Sequence, residues 1–375
     1  MTGTVIKGWC PGAHTPMRSG DGLILRIRPR LGRLSRDQAL GLCGLAERSS
    51  NGFISLTNRA NMQIRGVAPE RYDDMLAQLT ALDLVDETPE LEVRRNMMLT
   101  PFREAGDLTE TLGEELMKTL PELPELPAKF GFSIDCGPAP ALSHDPADIR
   151  IERASDGRLI VRADGSGTGR AATPENAIDM LAELARWFAS RPDRAARRMA
   201  QAVKDLPRTW RRVTPAPAMP AAEPGAHPEG LLLGVPFGNL PAATLAQLLE
   251  ASPAEQVIVT PWRMILLPGV KESRAPGFID APGAPLLRAS ACPGAPFCPS
   301  ATVETRDLAI ALACRIGGDI HVSGCAKGCA QPRPAAVTLV GRDGAFDLVK
   351  QGRSWDEPVR RGLTPEALLT GSEPF

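Results

Sequence analysis

Four cysteines near the end of the chain are the residues whose type and spacing could do redox chemistry. Cys292 and Cys298 stand in the run Ala-Cys-Pro-Gly-Ala-Pro-Phe-Cys-Pro, and Cys325 and Cys329 in Ser-Gly-Cys-Ala-Lys-Gly-Cys-Ala-Gln-Pro. Two close thiol pairs brought together from separate turns supply what a cubane [4Fe-4S] cluster needs, one thiolate for each iron. Glycine and proline flank the cysteines, and such backbones fold tightly around a bulky inorganic core. Four thiolates also make a tetrahedral zinc site, which is the alternative. Zinc knuckles, however, usually close Cys-x2-Cys or Cys-x4-Cys rather than the Cys-x5-Cys and Cys-x3-Cys spacings here. A disulfide framework is disfavoured, because residues 1–22 are polar and broken by Pro11 and Pro16, which predicts no secretory leader.

The elements that must position these thiols are bounded by the bulk numbers. The 375 residues allow two or three domains with sizeable cores. A net charge of −1 argues against a nucleic-acid protein, which would carry a basic excess. With 43% hydrophobic residues, 36 prolines and 35 glycines, the chain reads as globular and rich in turns. The longest uncharged stretch, 230–249, is interrupted by Pro236, Asn239, Pro241 and Gln247, so no membrane span is expected and the predicted location is cytoplasmic.

The chain repeats itself. Gly22-Leu-Ile-Leu-Arg-Ile-Arg28 opens a unit that ends in Leu56-Thr-Asn-Arg-Ala-Asn-Met-Gln-Ile-Arg-Gly-Val67. Gly230-Leu-Leu-Leu-Gly-Val-Pro236 opens a second that ends in Val259-Thr-Pro-Trp-Arg-Met-Ile-Leu-Leu-Pro-Gly-Val270, in the same Thr…Gly-Val frame without a gap. Each reads strand, turn, helix, then two strand-like runs, with helices expected over 35–46 and 241–249 and with Ser35 and Asp37 suited to capping the first. A looser echo pairs Arg94 to Phe102 with Leu287 to Phe297. The fold class expected is therefore α+β with an internal duplication: units 1–86 and 87–213, a proline- and alanine-rich linker 214–228, and units 229–285 and 286–375. The active site is expected between the halves.

The first repeat holds cations that the second lacks. Arg26 and Arg28 alternate with apolar residues and are expected on one face of a strand, as are Arg59, Asn61, Gln63 and Arg65. The matching stretch of the second repeat has Trp262, Met264, Leu266 and Pro268. An arginine's planar fork suits carboxylates, so this cluster predicts a polycarboxylate or small oxyanion ligand. Lys129, in Leu-Pro-Ala-Lys-Phe, is a lone base in an apolar context.

Taken together these residues resemble the sulfite and nitrite reductase family. The Cys-x5-Cys…Cys-x3-Cys pattern matches at Cys292, Cys298, Cys325 and Cys329, and the Leu-Arg-x-Arg run at Leu25 to Arg28. The Leu-Thr-Thr-Arg-Gln-x-x-Gln strand matches at Leu56 to Gln63, the Arg-Asn pair at Arg95 and Asn96, and the Leu-Pro-x-Lys-Phe-Lys run at Leu126 to Gly131. The resemblance implies two ferredoxin-like half units plus two α/β units, and a cluster beside a siroheme in the reductases, with Cys329 nearest the reacting centre. Two departures matter: Ser55 and Gly131 stand where the reductases carry an arginine and a second active-site lysine. Losing two cations from a site that must cleave an oxyanion is costly, because charge stabilisation is a major catalytic contribution there.

The opening Trp9-Cys-Pro-Gly-Ala-His-Thr-Pro-Met-Arg-Ser-Gly-Asp-Gly22 and the compact length are instead similar to the branch of that family that acts in aerobic cobalamin biosynthesis. That resemblance implies oxygen-dependent hydroxylation of precorrin-3A at C20 with an acetate side chain closing a γ-lactone. It implies a [4Fe-4S] cluster, a separate non-haem iron and NADH as ultimate reductant. Arg26, Arg59, Arg95 and Lys129, with Asn61 and Gln63, would grip the carboxylate rim of the tetrapyrrole. A facial iron triad needs two histidines and a carboxylate, and of His14, His144, His227 and His321 the candidates are His14 and His321. Cys43 and Cys314 read as helical core thiols, Cys10 as a free thiol, and Cys136 is open. Gly165-Ser-Gly-Thr-Gly169 lacks the dinucleotide-binding spacing and reads as a hairpin loop, so electrons from NADH are expected to arrive through a separate reductase.

Overall fold

The computed structural model describes residues 11–192 and 195–370, so Cys10 lies outside the described residues. Among these residues, strands form four five-stranded sheets, two for each half. In the first antiparallel sheet Gly22–Ile27, Met62–Val67 and Phe53–Leu56 lie side by side, and helix Arg36–Ser49 buries Leu42, Cys43 and Leu45 in the same core. Ser35 caps that helix through a capping box: its hydroxyl accepts from the Gln38 N–H, and the Gln38 side chain accepts from the Ser35 N–H. The second repeat builds the same order from Gly230–Gly234, Met264–Pro268 and Gln256–Val259, with helix Ala242–Ala251. The duplicated α+β architecture is therefore present in the fold.

Each half lends a strand to the other. Asn239–Pro241 pairs with Phe53–Leu56, placing Asn239 opposite Ser55, and Arg33–Ser35 pairs with Gln256–Val259, placing Arg33 opposite Ile258. The turns that lead into these strands share a left-handed residue, Leu31 at φ 51° and Phe237 at φ 56°. Ala60 at φ 52° and Arg263 at φ 60° match in the same way, in line with the gapless pairing of 56–67 with 259–270. The opening strands differ from the sequence alignment by two positions. Arg26 lies opposite Gln63 and Leu232 opposite Leu266, so Arg26 corresponds to Leu232.

The other two sheets each carry three parallel strands: Met97–Leu99, Phe132–Asp135 and Ile149–Arg153 in the first half, and Ala289–Ala291, Ile320–Ser323 and Ala335–Arg342 in the second. Their registers, Met97 opposite Phe132 and Ala289 opposite Ile320, make Thr100 the counterpart of Cys292 and Cys136 that of Gly324. The linker region is tied down at both ends, because Pro215 bridges Ala154 and Gly225–Ala226 pairs with Gly230–Gly234. Residues 165–169 join the antiparallel strands Leu159–Ala163 and Arg170–Ala172. Cys43 is buried, and burial pushes its thiol up to about 12. Cys314 departs from expectation: it is exposed, because helix Arg306–Ala313 ends one residue before it. Among the described residues no helix is long and apolar enough to cross a membrane.

Candidate functional site

The parallel pairing of Ala289–Ala291 with Ile320–Ser323 is what brings the two cysteine pairs together. Cys292 follows the first strand directly and Cys325 follows the second by two residues, so both loops leave the sheet at its carboxyl edge, where open α/β sheets hold their ligands. The Gly324 N–H donates to Cys292 Sγ at 3.1 Å, a bond that stabilises a thiolate. Gly294 at φ 67° and Gly328 at φ 62° turn the two loops. A Cβ at Gly294 would lie 2.7 Å from Thr305 Oγ1, and one at Gly328 would collide with Ser354. The Cys329 thiol is raised first by burial and then by negative charge on Cys325, Cys292 and Cys298, with Lys327 opposing.

Among the described residues no three His, Cys, Asp or Glu side chains converge closely enough to hold one metal ion. Thiolates sharing one zinc would stand about 3.8 Å apart, given the Zn–S bond length. Cluster cysteines stand wider, since each bonds a different iron. The donor set and the N–H···S bond fit a [4Fe-4S] group held by Cys292, Cys298, Cys325 and Cys329. A histidine–carboxylate triad for a separate iron does not fit the described residues.

Cys292 and Cys329, but neither of their partners, line a cleft of about 210 Å³ between the halves. Its opposite wall is the first repeat's sheet. Arg26, Gln63, Ser55 and Asn239 form one cross-strand row and therefore share a face, and all but Arg26 line the cleft. The Ser55 hydroxyl donates to Asn239 Oδ1 at 3.3 Å. In the second repeat the equivalent row is Leu232, Leu266, Ile258 and Arg33. Its three apolar members form a small core packed against Phe102, and Arg33 pairs with Glu110. One half thus keeps a polar face open to a ligand while its counterpart is packed shut. The cleft continues into a larger, more apolar space of about 530 Å³, with which it shares Phe53, Phe237, Phe297 and Arg306.

Three arginines line the cleft. Arg65 donates to Ser19 Oγ at 3.0 Å and lies 3.5 Å from Asp21 Oδ1. Arg263 reaches the Ala330 carbonyl at 3.4 Å, and Arg306 lies over the Phe53 ring at 6.0 Å. Burial lowers the affinity of both Arg263 and Arg306 for their protons, and the charge of Cys292 partly offsets this for Arg306. Arg306 Nε, Arg26 Nε and Asp21 Oδ2 are buried without a hydrogen-bond partner among the described residues. Such atoms cost free energy unless something else completes them.

The sequence-predicted ligand residues separate into three groups. Gln63 lines the cleft and Arg26 continues its row. Arg59 and Lys129 sit together elsewhere: the Arg59 guanidinium donates to the Lys129 carbonyl at 2.9 Å and lies over Gly131, where a Cβ would be 3.0 Å from Arg59 Nη1. Gly131 therefore leaves room that Arg59 takes. Asn61 is buried in the turn before Met62–Val67, its N–H donating to Thr57 Oγ1 at 3.2 Å. Arg95 is not available as a rim-gripping cation. It is 4% exposed and donates through Nε and Nη2 to the Asp86 carboxylate at 2.8 to 3.0 Å. Arg28, expected on the face of Arg26, is buried against Glu92, and burial brings it down to about 10. Arg263, Arg306, Asn239 and Asp21 escaped the sequence reading. Arg263 occupies the left-handed turn position of Ala60, and no periodic pattern marks the others.

The histidine candidates lie in different surroundings. His14 Nε2 is 2.7 Å from the Asp86 carbonyl, in the buried ionic group around Glu92. His321 is fully buried on Ile320–Ser323, flanked by Ser290 and Thr338, and neither ring nitrogen has a partner among the described residues. Burial, helped by the charge of Arg263, brings it from 6.5 down to about 4. Because the unfolded chain binds this proton more readily, stability is complete above about pH 6.5 and falls as pH drops toward 4, by up to about 3 kcal/mol. In urea titrations across that window, His321→Phe should flatten the decline; an unchanged slope would contradict the assignment.

Comparison with known proteins places the chain in a family. The family model "Nitrite/Sulfite reductase ferredoxin-like half domain" matches residues 15–82. A precorrin-3B synthase from Sinorhizobium sp is 30% identical over 392 aligned positions, covering 92% of this chain and 83% of that protein. A ferredoxin–nitrite reductase from Synechococcus elongatus is 26% identical, covering 84% and 75%. The solved structure of Mycobacterium tuberculosis NirA protein superposes with a TM-score of 0.61 at 16% identity, over 93% of this chain and 79% of that one, and so shares its fold. This chain therefore belongs to the precorrin-3B synthase branch of the nitrite and sulfite reductase family.

Proposed function

We propose that this protein is a cytoplasmic oxidoreductase that converts precorrin-3A to precorrin-3B with O2, by hydroxylation at C20 and closure of an acetate side chain into a γ-lactone. One atom of O2 enters the product and the other leaves as water, with two electrons from NADH and a proton completing the balance. The observation that carries this reading is the single cleft onto which Cys292, Cys329, Arg65, Arg263 and Arg306 all face. When bound, the cluster supplies electrons one at a time beside the substrate. The chain's own residues do the rest. The three arginines hold the carboxylate rim, Gln63, Ser55 and Asn239 meet the macrocycle with neutral hydrogen-bonding groups, and Phe53, Phe237 and Phe297 give its apolar surface a wall and exclude water. Arg26 extends the polar row at the edge of the cleft.

The glycine-rich run 165–169 joins the antiparallel strands Leu159–Ala163 and Arg170–Ala172 rather than opening a βαβ unit, and delivery of electrons from NADH is assigned to a separate reductase. The reading is tested on protein purified without oxygen, by absorption spectrum, by iron, sulfide and zinc content, and by turnover with precorrin-3A, O2 and a chemical reductant. Iron and sulfide without siroheme, followed by product formation, are expected. Extracted siroheme with nitrite or sulfite reduction would move the assignment to the reductases, against which Ser55 and Gly131 stand. Zinc without sulfide would remove redox chemistry altogether. Rapid NADH oxidation by the pure protein would contradict the separate reductase. Arg306→Gln should weaken binding of a carboxylate-rimmed tetrapyrrole about 10- to 100-fold, the range for a lost charge-assisted hydrogen bond, as read by fluorescence titration at low salt.

A further inference from the structure

Lys327 stands midway between Cys325 and Cys329, two residues from either thiol. Its ammonium is exposed but pinned: Nζ donates to Ser300 Oγ at 2.9 Å. Ser300 lies two residues after Cys298, on the other cysteine loop. One lysine thus ties the Cys-x5-Cys loop to the Cys-x3-Cys loop, close in the chain to three of the four thiols. Among the described residues it pairs with no carboxylate, so its charge is not spent on an acid. Neither Lys327 nor Ser300 lines the cleft or its apolar extension, so that charge is not placed for the substrate either. It acts on the thiols, favouring the thiolate at Cys329.

A [4Fe-4S] group held by four thiolates is already an anion, and reduction adds one more negative charge. Its potential therefore follows the charge, hydrogen bonding and exposure around it. Granted the cluster proposed above, a cation fixed beside its thiolates offsets the charge that reduction adds. We infer that Lys327, held in place by Ser300, raises the reduction potential of the cluster and so sets how readily it takes each electron the reductase delivers. Lys327 acts on the reaction only through the cluster, as a positioning residue. It needs no contact with the substrate.

The test is an anaerobic redox titration of the cluster-loaded protein, followed by absorption and electron paramagnetic resonance, with iron and sulfide measured alongside. Lys327→Gln keeps a donor for Ser300 and loses the charge. It should make reduction about three- to tenfold less favourable, a fall of about 30 to 60 mV at about 59 mV per tenfold for one electron. Lys327→Arg should stay within about twofold of wild type. Ser300→Ala, which frees the charge without removing it, should fall by less than Lys327→Gln. Added salt should narrow the gap between wild type and Lys327→Gln, because an exposed charge is screened. A full cluster with an unmoved potential in Lys327→Gln would overturn the inference and leave the cluster assignment standing. Loss of iron and sulfide from Lys327→Gln and Ser300→Ala alike would show that the lysine only ties the loops, and would overturn it too. If wild type holds no reducible iron–sulfur group, the reading of the four thiols itself fails, and this inference with it.

Discussion

Cys329→Ser is expected to abolish turnover and to strip most of the iron and sulfide from the protein while leaving its fold intact. The loss should exceed about 100-fold, the upper end of what removing a mere outer-shell partner of a metal ligand costs. Two observations set Cys329 apart from the other three thiols. It is the exposed one of the four, so nothing in the core depends on it, and unlike Cys292, which also lines the cleft, it does so without being buried. A serine there should therefore leave the thermal midpoint of the cluster-free protein within about a degree of wild type, as surface changes of this kind cost little. Cys314→Ser is the matched control: another exposed thiol beyond the end of Arg306–Ala313, whose replacement should change neither iron content nor rate. Full cluster content with full activity in Cys329→Ser would remove Cys329 from the ligand set and with it the pairing of Cys-x5-Cys and Cys-x3-Cys.

Glu92→Ala should destabilise the protein by about 3–5 kcal/mol, the cost of orphaning a buried charge. Glu92 is buried in helix Pro89–Arg94 and accepts from Arg28 Nη1 at 2.9 Å and from the N–H groups of Ala13 and His14 at 2.5 and 3.1 Å. Removing it leaves a buried guanidinium and two backbone donors unmatched, because Arg28 Nε already lacks a partner among the described residues. Gly12 packs directly against the carboxylate, so no side chain is at hand to fill the gap. Glu92→Gln should lose less, since an amide oxygen still accepts while only the charge is gone. The measurement is the urea midpoint at pH 7 on cluster-free protein; a loss under 1 kcal/mol in Glu92→Ala would show that water replaces the carboxylate.

Asp86, Arg95, Glu92 and Arg28 also explain why the sequence overcounted ligand cations. Arg95 and Arg28 sit in motifs shared with reductases, and in sequence a buried structural arginine has the same signature as a ligand-binding one. Only the acid that folds onto it separates the two. Asp86 lies nine positions before Arg95, and Glu92 lies 64 positions after Arg28, separations that carry no periodic signal. Arg59 and Lys129, both expected on the ligand rim, sit together outside the cleft lining, where Gly131 leaves space for the Arg59 guanidinium.

The amino-acid sequence by itself determined the duplication, the helix beginning at Ser35, the polar face of the first repeat against the apolar face of the second, and the four thiols with their family. Each of these is local or periodic: a capping box, an alternation of two, or a spacing of cysteines among glycine and proline. Tertiary structure decided what those faces meet. The reciprocal exchange of Arg33–Ser35 and Asn239–Pro241 put Asn239 beside Ser55 and carried Arg263 and Arg306 to the same cleft. It also brought Asp21 there, some 270 residues before Cys292 in the chain. Contacts at such separations follow from strand pairing between halves and from the packing of sheet on loop, which no short window of sequence encodes.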